Sequence, residues 1–81
     1  MQIVYILKSI NFPNRIYIGC TSNLTKRLAE HNSLNKGYSN KFAPWDVETY
    51  VVFKNKSLAE KFEKYLKAGS GHAFLRKRLV L

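Results

Sequence analysis

Gln2 to Leu7 is a β-branched and aromatic run with apolar residues on both alternating faces, which predicts a strand buried on two sides and therefore central in a sheet. Asn11, Pro13 and Asn14 supply turn chemistry, and Arg15 to Cys20 resumes the β-rich pattern. The two runs predict an antiparallel hairpin whose second strand ends at Gly19. Thr21 and Ser22 offer helix N-caps, and Leu24 and Leu28 mark one stripe of a short amphipathic helix over Asn23–Ser33. Leu34 to Pro44 has no period and holds Asn35, Gly37, Ser39, Asn40 and Pro44, so it reads as a loop, made basic and aromatic by Lys36, Tyr38, Lys41 and Phe42. Trp45 opens a third apolar segment, in which Val47, Thr49, Val51 and Phe53 alternate with Glu48, Tyr50 and Val52 as in a third strand.

Ser57-Leu58-Ala59-Glu60 fits a capping box, in which a serine and a glutamate three residues on satisfy each other's backbone donors at a helix start. The second helix is expected to run to about Ala68, with Leu58, Ala59, Phe62, Tyr65 and Leu66 as its buried stripe at roughly 100° per residue. Gly69 and Gly71 are expected to terminate it, and His72 to Leu79 reads as a last short helix. The order β-β-α-β-α-α predicts an α+β fold, a three-stranded antiparallel sheet with packed helices. The functional site is expected where the first two strands meet the first and second helices.

At 81 residues the chain is expected to form a single domain spanning residues 1–81. Fourteen Lys+Arg against five Asp+Glu give a net charge of +9 and point to a polyanionic partner, with nucleic acid ahead of membrane. Residues 54–81 hold eight basic and two acidic side chains, so +6 of that charge sits toward the carboxyl end. The single cysteine, Cys20, excludes an internal disulfide framework, and with only His31 and His72 beside it the chain lacks ligands for a closed zinc site. A reducing, cytoplasmic setting is expected. No apolar run approaches a membrane span, and no basic region precedes Ile3 to Leu7 as it would in a signal peptide.

Tyr5 and Tyr17 fall on strands that should pair, Arg27 and His31 are four apart on one helix, and Glu63 lies in the next. On the helical wheel Glu63 projects about 40° beyond the Ala59 edge of the buried stripe, while Glu60 points about 60° further round toward solvent. His31 sits at the edge of the Leu24/Leu28 stripe with Arg27 just outside it, so both can reach one cleft. A lone carboxylate beside an arginine, a histidine and two phenols suits phosphodiester hydrolysis, where a hard divalent cation needs oxygen ligands and the developing charge needs a cationic clamp.

Ile3-Val4-Tyr5, then Tyr17-Ile18-Gly19, then Arg27 and His31, then Ala59 with Glu63 four residues later, resembles the GIY-YIG nuclease domain. The resemblance covers nearly the whole chain, and it is closer to the small standalone members related to the UvrC excinuclease amino-terminal domain. Lys26-Arg27-Leu28 with Glu30-His31-Asn32, and Glu63-Lys64-Tyr65-Leu66-Lys67 with Gly69 and Gly71, look like that subgroup's two helical signatures. Ile3 and Val4 stand where the family usually has Gly and Ile. The resemblance implies a metal-dependent endonuclease hydrolysing DNA phosphodiester bonds, structure-selective in repair or recombination, with Glu63 holding one Mg²⁺ or Mn²⁺. It implies Tyr5 as general base helped by His31, Tyr17 orienting water or phosphate, Arg27 stabilising the developing charge, and Lys8 steadying the same site. DNA contacts are expected from Lys8, Lys41, Lys67, Arg76, Lys77 and Arg78, and a repair or recombination protein is a further expected partner.

Structural readings stand beside these. Tyr5 and Tyr17 could be half-buried core residues, Glu63 could form an ordinary helical ion pair with Lys67, Arg27 could pair with Glu30 or Glu48, and His31 could be a satisfied helix-end histidine. Arg76-Lys77-Arg78 could be a solvated helix face, Cys20 a small filler, His72 a surface residue and Trp45 a cover for the sheet. The competing functions are a non-catalytic or partner-dependent nucleic-acid-binding module of the same fold, and an interaction domain recruited to a repair complex.

Overall fold

A computed structural model of the chain describes residues 1–33 and 41–81. Among the described residues, three strands and three helices follow one another as β1 (Gln2–Ser9), β2 (Ile16–Thr21), α1 (Leu24–Asn32), β3 (Trp45–Phe53), α2 (Lys56–Leu66) and α3 (Gly69–Arg78). The sheet is antiparallel with order β2-β1-β3, so the two-sided apolar run is the central strand as its pattern requires. Val4, Ile6 and Leu7 are fully buried and Tyr5 nearly so.

The pleat sorts two cores. Val4 and Ile6 face one side, where they pack with Ala59 and Leu66 of α2 and Leu75 of α3, joined by Ile16, Ile18 and Cys20 of β2. Tyr5 and Leu7 face the other, with Phe42, Trp45, Tyr17, Leu24, Leu28 and Val47. Two layers of helix thus sandwich three strands, α1 on one face and α2 with α3 on the other.

Several boundaries differ from the sequence reading, each for a local reason. The strand β2 runs through Gly19 to Thr21, because Gly19 lies inside the ladder opposite Tyr5. Asn23, not Thr21 or Ser22, caps α1: its side chain accepts from the Lys26 N–H at 3.1 Å, while Thr21 Oγ1 is occupied bracing the Asn23 backbone. Similarly Asn55 caps α2 two residues before the expected capping box, accepting from the Leu58 N–H at 3.1 Å and leaving Ser57 and Glu60 as the second and fifth residues of the helix.

The strict alternation expected of β3 is broken by a bulge, since Ile6 pairs with Thr49 and Leu7 already with Val47, so Glu48 is the extra residue. Val47 and Tyr50 thereby share a face. At the other end, α2 stops at Leu66 rather than about Ala68, and α3 begins at Gly69 rather than His72. Gly69 takes the left-handed φ of 56° that a side chain would resist. Gly71 is no terminator but a close-packing residue, since a Cβ there would run into the Tyr65 carbonyl. Of the stripe expected to be buried on α2, Ala59 and Leu66 are, but Leu58 and Tyr65 remain 55% and 46% exposed because α3 and the sheet cover a narrower arc. The loop residues Lys36 and Tyr38 lie outside the described residues.

Candidate active site

Tyr5 and Tyr17 come together because the β1–β2 register sets Tyr5 opposite Gly19 and Leu7 opposite Tyr17, which makes the two tyrosines diagonal neighbours on one face. Their rings lie 6.4 Å apart and 17° from parallel. The Tyr5 ring lies across Gly19, where any Cβ would overlap its hydroxyl oxygen. That is the local reason for a glycine in the middle of a strand.

His31, in the last turn of α1, closes this group. Its Nε2 stands 3.0 Å from the Tyr5 hydroxyl in a buried hydrogen bond, and its ring lies 4.5 Å from that of Tyr17. Trp45, 2% exposed at the start of β3, meets Tyr17 edge-on at 6.2 Å, so it covers this core as the sequence suggested. Asn32 ties α1 to that strand, donating from its side-chain amide to the Trp45 carbonyl at 3.0 Å and accepting from the Trp45 N–H at 2.6 Å.

The surroundings set the protonation of this pair. Burial pushes the Tyr5 phenol up to about 12, against the nearby Arg27 guanidinium, which pulls it down by charge and hydrogen bonding; Tyr17 and Glu63 add smaller upward pushes. Burial likewise lowers the His31 pKa, and the Arg27 charge lowers it further against Glu30. A protonated phenol therefore meets a neutral imidazole at neutral pH. With the ring proton on Nδ1, the Tyr5 hydroxyl donates to Nε2, so His31 is placed to take that proton.

Two helices on opposite faces of the sheet bring charge to bear on the same strands. Arg27 comes from α1 and Glu63 from α2, and the charges of both act on Tyr5 and on Cys20, which face opposite sides of the sheet. Burial, then Glu63 and Glu60, raise the Cys20 thiol above its usual value, against Lys56 and Arg27. A protonated thiol at a core edge fits the filler role, not a nucleophile. Arg27 also lines a polar pocket of about 300 Å³ with Thr21, Ser22, Asn23, Lys26 and Glu30, at the start of α1.

Both key charges are paired within their own helices. Arg27 Nε lies 3.1 Å from Glu30 Oε1, and Lys67 Nζ lies 2.8 Å from Glu63 Oε2. These are two of the structural pairings the sequence allowed. They are surface pairs of small worth, and they leave the carboxylate and guanidinium available to a stronger partner. Among the described residues no group of three or more His, Cys, Asp and Glu could cage a metal. A hard divalent cation would find one oxygen donor here in the Glu63 carboxylate and would need its remaining ligands from outside the protein.

The remaining expected contacts are dispersed. Lys8 does not join Tyr5: three residues apart in a strand means opposite faces, and its Nζ donates to the Leu81 carbonyl at 3.2 Å. Lys41 is exposed, with its ammonium 5.7 Å from the Phe42 ring centroid. Arg76, Lys77 and Arg78 are exposed in the last turn of α3, on the α2 side of the sheet, and His72 is half-buried within that helix.

The GIY-YIG catalytic domain profile matches residues 1–76. The chain belongs to the GIY-YIG catalytic domain family. Among relatives, it is 37% identical over 67 residues to the structure-specific endonuclease subunit SLX1 of Malassezia globosa, covering 78% of this chain and 15% of that protein. It is 40% identical over 70 residues to SLX1 of Debaryomyces hansenii, covering 78% of this chain and 20% of that one. With SLX1 of Podospora anserina the identity is 38% over 66 residues, 74% of this chain and 19% of the relative. The chain thus spans a fifth or less of the length of these relatives. Within the GIY-YIG domain, two positions carry more than sequence reasoning gave them: Gly19, whose signal was a glycine inside a β-rich run, and Asn32, whose bridge to Trp45 has no local signal at all.

Proposed function

We propose that this chain is a divalent-metal-dependent endonuclease that hydrolyses DNA phosphodiester bonds, selective for DNA structure as the names of its SLX1 relatives describe for those proteins. The observation that carries it is the buried Tyr5–His31 hydrogen bond of 3.0 Å, with the charges of Arg27 and Glu63, from two different helices, both acting on Tyr5. Mg²⁺ or Mn²⁺ at Glu63 supplies Lewis-acid stabilisation of the phosphate charge when bound. Tyr5 takes the proton of the attacking water as His31 accepts the phenol's own, which spares the site a free phenolate whose formation burial opposes. Tyr17, packed on both, orients water or phosphate. Arg27 exchanges Glu30 for the scissile phosphate and stabilises the charge that develops there. Lys67, Arg76, Lys77, Arg78, Lys41 and Lys8 contribute backbone contacts, and a protein partner belongs to the same reading, since the relatives are named as subunits.

A panel of branched and linear labelled DNAs with Mn²⁺ tests this, run beside Glu63→Gln and Tyr5→Phe. Both variants are expected to lose cleavage and keep DNA binding. Cleavage at the wild-type rate in either one overturns the assignment, and a wild type that binds steeply with falling salt yet never cuts favours a binding module.

A further inference from the structure

The rings of Phe53, Phe62, Tyr65 and Phe74 form a chain across β3, α2 and α3, with successive centroids 5.4, 6.2 and 6.4 Å apart. The inner rings are partly buried, but Tyr65 and Phe74 are 46% and 40% exposed. None of the catalytic candidates uses them. On the α2 wheel Tyr65 lies roughly 160° from Glu63, so the ladder occupies the flank facing away from the proposed metal ligand. Its surroundings are mainly cationic, with Glu48 of β3 lining one pocket together with Lys77 and Arg78. Lys61 sits four residues before Tyr65, and Lys77 and Arg78 sit three and four after Phe74, all exposed, whereas Glu60 and Glu63 are on the opposite side of α2.

We propose that this ladder is a binding ledge for an unpaired nucleic-acid strand, whose bases stack on Tyr65 and Phe74 while Lys61, Lys77 and Arg78 take its phosphates. A duplex hides its base faces, whereas a single strand presents them, and base–aromatic stacking beside cations is the usual way such strands are held. The charge complementarity favours a polyanion over an apolar partner. The inference rests on nucleic acid being the ligand, and it gives a structure-selective nuclease a means of sensing an unpaired arm.

Fluorescence anisotropy with labelled oligo-dT and a duplex of equal length, in EDTA so that nothing is cut, tests it. Tyr65→Ala and Phe74→Ala should each weaken oligo-dT binding roughly five- to a hundredfold, with duplex binding nearly unchanged and Tyr65→Phe close to wild type. Far-UV circular dichroism checks the fold of each variant. Unchanged oligo-dT affinity in the double alanine variant, with duplex still bound, overturns the ledge alone; a wild type that binds neither DNA overturns the nucleic-acid reading as well. Tighter binding of a poly-glutamate peptide than of oligo-dT, lost in the alanine variants, makes the ledge a protein-docking site and also overturns the proposal.

A separate observation concerns Asn32. Its side-chain amide closes a ring of contacts, bonding both backbone groups of Trp45, whose indole meets Tyr17, whose ring meets His31 next to Asn32 in sequence. We infer that Asn32 is a positioning residue that fixes the end of α1 so that His31 reaches Tyr5. In Asn32→Ala the His31 imidazole titration, followed by NMR, should move back toward its ordinary value, and kcat should fall at least tenfold with KM little changed. Asn32→Ser serves if the alanine variant does not fold. A lower melting temperature with the His31 titration unmoved overturns the inference, and that readout holds whether or not the chain cuts DNA.

Discussion

Gly19→Ala isolates the most specific steric requirement of the site. The position is buried in β2 and its φ lies outside the left-handed region, so the backbone itself accepts alanine and the whole penalty comes from the new methyl group. That methyl would overlap the Tyr5 hydroxyl and press on its ring, and Tyr5, 1% exposed, has no free volume to move into. Overpacking of this kind costs about 1–3 kcal/mol, and removing a mid-strand glycine returns only about 0.5–1 kcal/mol. In an 81-residue domain the balance, up to about 2.5 kcal/mol, corresponds to a fall in Tm of up to roughly 20 °C. The functional loss should be larger than the stability loss, because displacing the hydroxyl by about 1 Å from His31 can cost on the order of a hundredfold in rate. Thermal melts and a nicking assay measure the two effects. A double-mutant cycle sharpens the test: Tyr5→Phe removes the oxygen nearest the added methyl, so Gly19→Ala should destabilise the Tyr5→Phe background less than the wild type. A Gly19→Ala protein as stable and as active as the wild type, or equal penalties in the two backgrounds, would refute the reasoning.

Further outcomes follow from the same contacts. His31 has a folded pKa below its unfolded 6.5, so the unfolded chain binds more protons in that window. Its stabilising contribution is present above pH 6.5 and is lost as pH falls through the folded value. Denaturant titrations should therefore show stability declining on acidification from pH 7, and His31→Gln should flatten that slope; an unchanged slope would contradict it. Lys67→Met frees Glu63 from a half-exposed pair worth about 0.3–0.5 kcal/mol, so calorimetric Mn²⁺ affinity should rise about twofold, and a fall would mean that Lys67 supports the ligand instead. Replacing Arg76, Lys77 and Arg78 by glutamine should weaken duplex binding and lower the salt slope by about one unit for each phosphate no longer neutralised, whereas an unchanged slope makes that helix end a solvated surface.

The sheet was legible because its signals are local and strong. The two-sided apolar run at Val4–Leu7 fits a central strand, and a period of two puts Tyr5 on the face away from Lys8, which therefore does not approach the same site. Helix starts were less legible, because Asn23 and Asn55 compete with neighbouring serines and a threonine, and the winner depends on where the preceding strand releases the chain. The Glu48 bulge, the Asn32–Trp45 bridge and the role of Gly71 could not be read at all. Each depends on a contact between segments distant in sequence or on two helices brought close, which no local pattern encodes. The order of the site residues along the chain is legible, whereas the joint action of Arg27 and Glu63 on Tyr5 and Cys20 depends on the sheet placing two helices on its opposite faces.

The arrangement divides into a fixed half and an exchangeable half. Tyr5 and His31 share a buried hydrogen bond, walled by Gly19, Tyr17 and Trp45, where a shift of an ångström has nowhere to go. Arg27 and Glu63 instead rest in exposed or half-exposed pairs with Glu30 and Lys67, each worth a few tenths of a kcal/mol. In the proposed reaction a phosphate or a divalent cation would offer far more than those pairs retain, so both charges could be redirected with little cost. Proton transfer demands fixed distances, because rate falls steeply with misplacement, while charge stabilisation needs groups that wait in solvent without collapsing on each other. Helical i,i+3 and i,i+4 partners serve that second need: Glu30 and Lys67 hold the guanidinium and the carboxylate loosely at the surface, where a stronger partner can displace them.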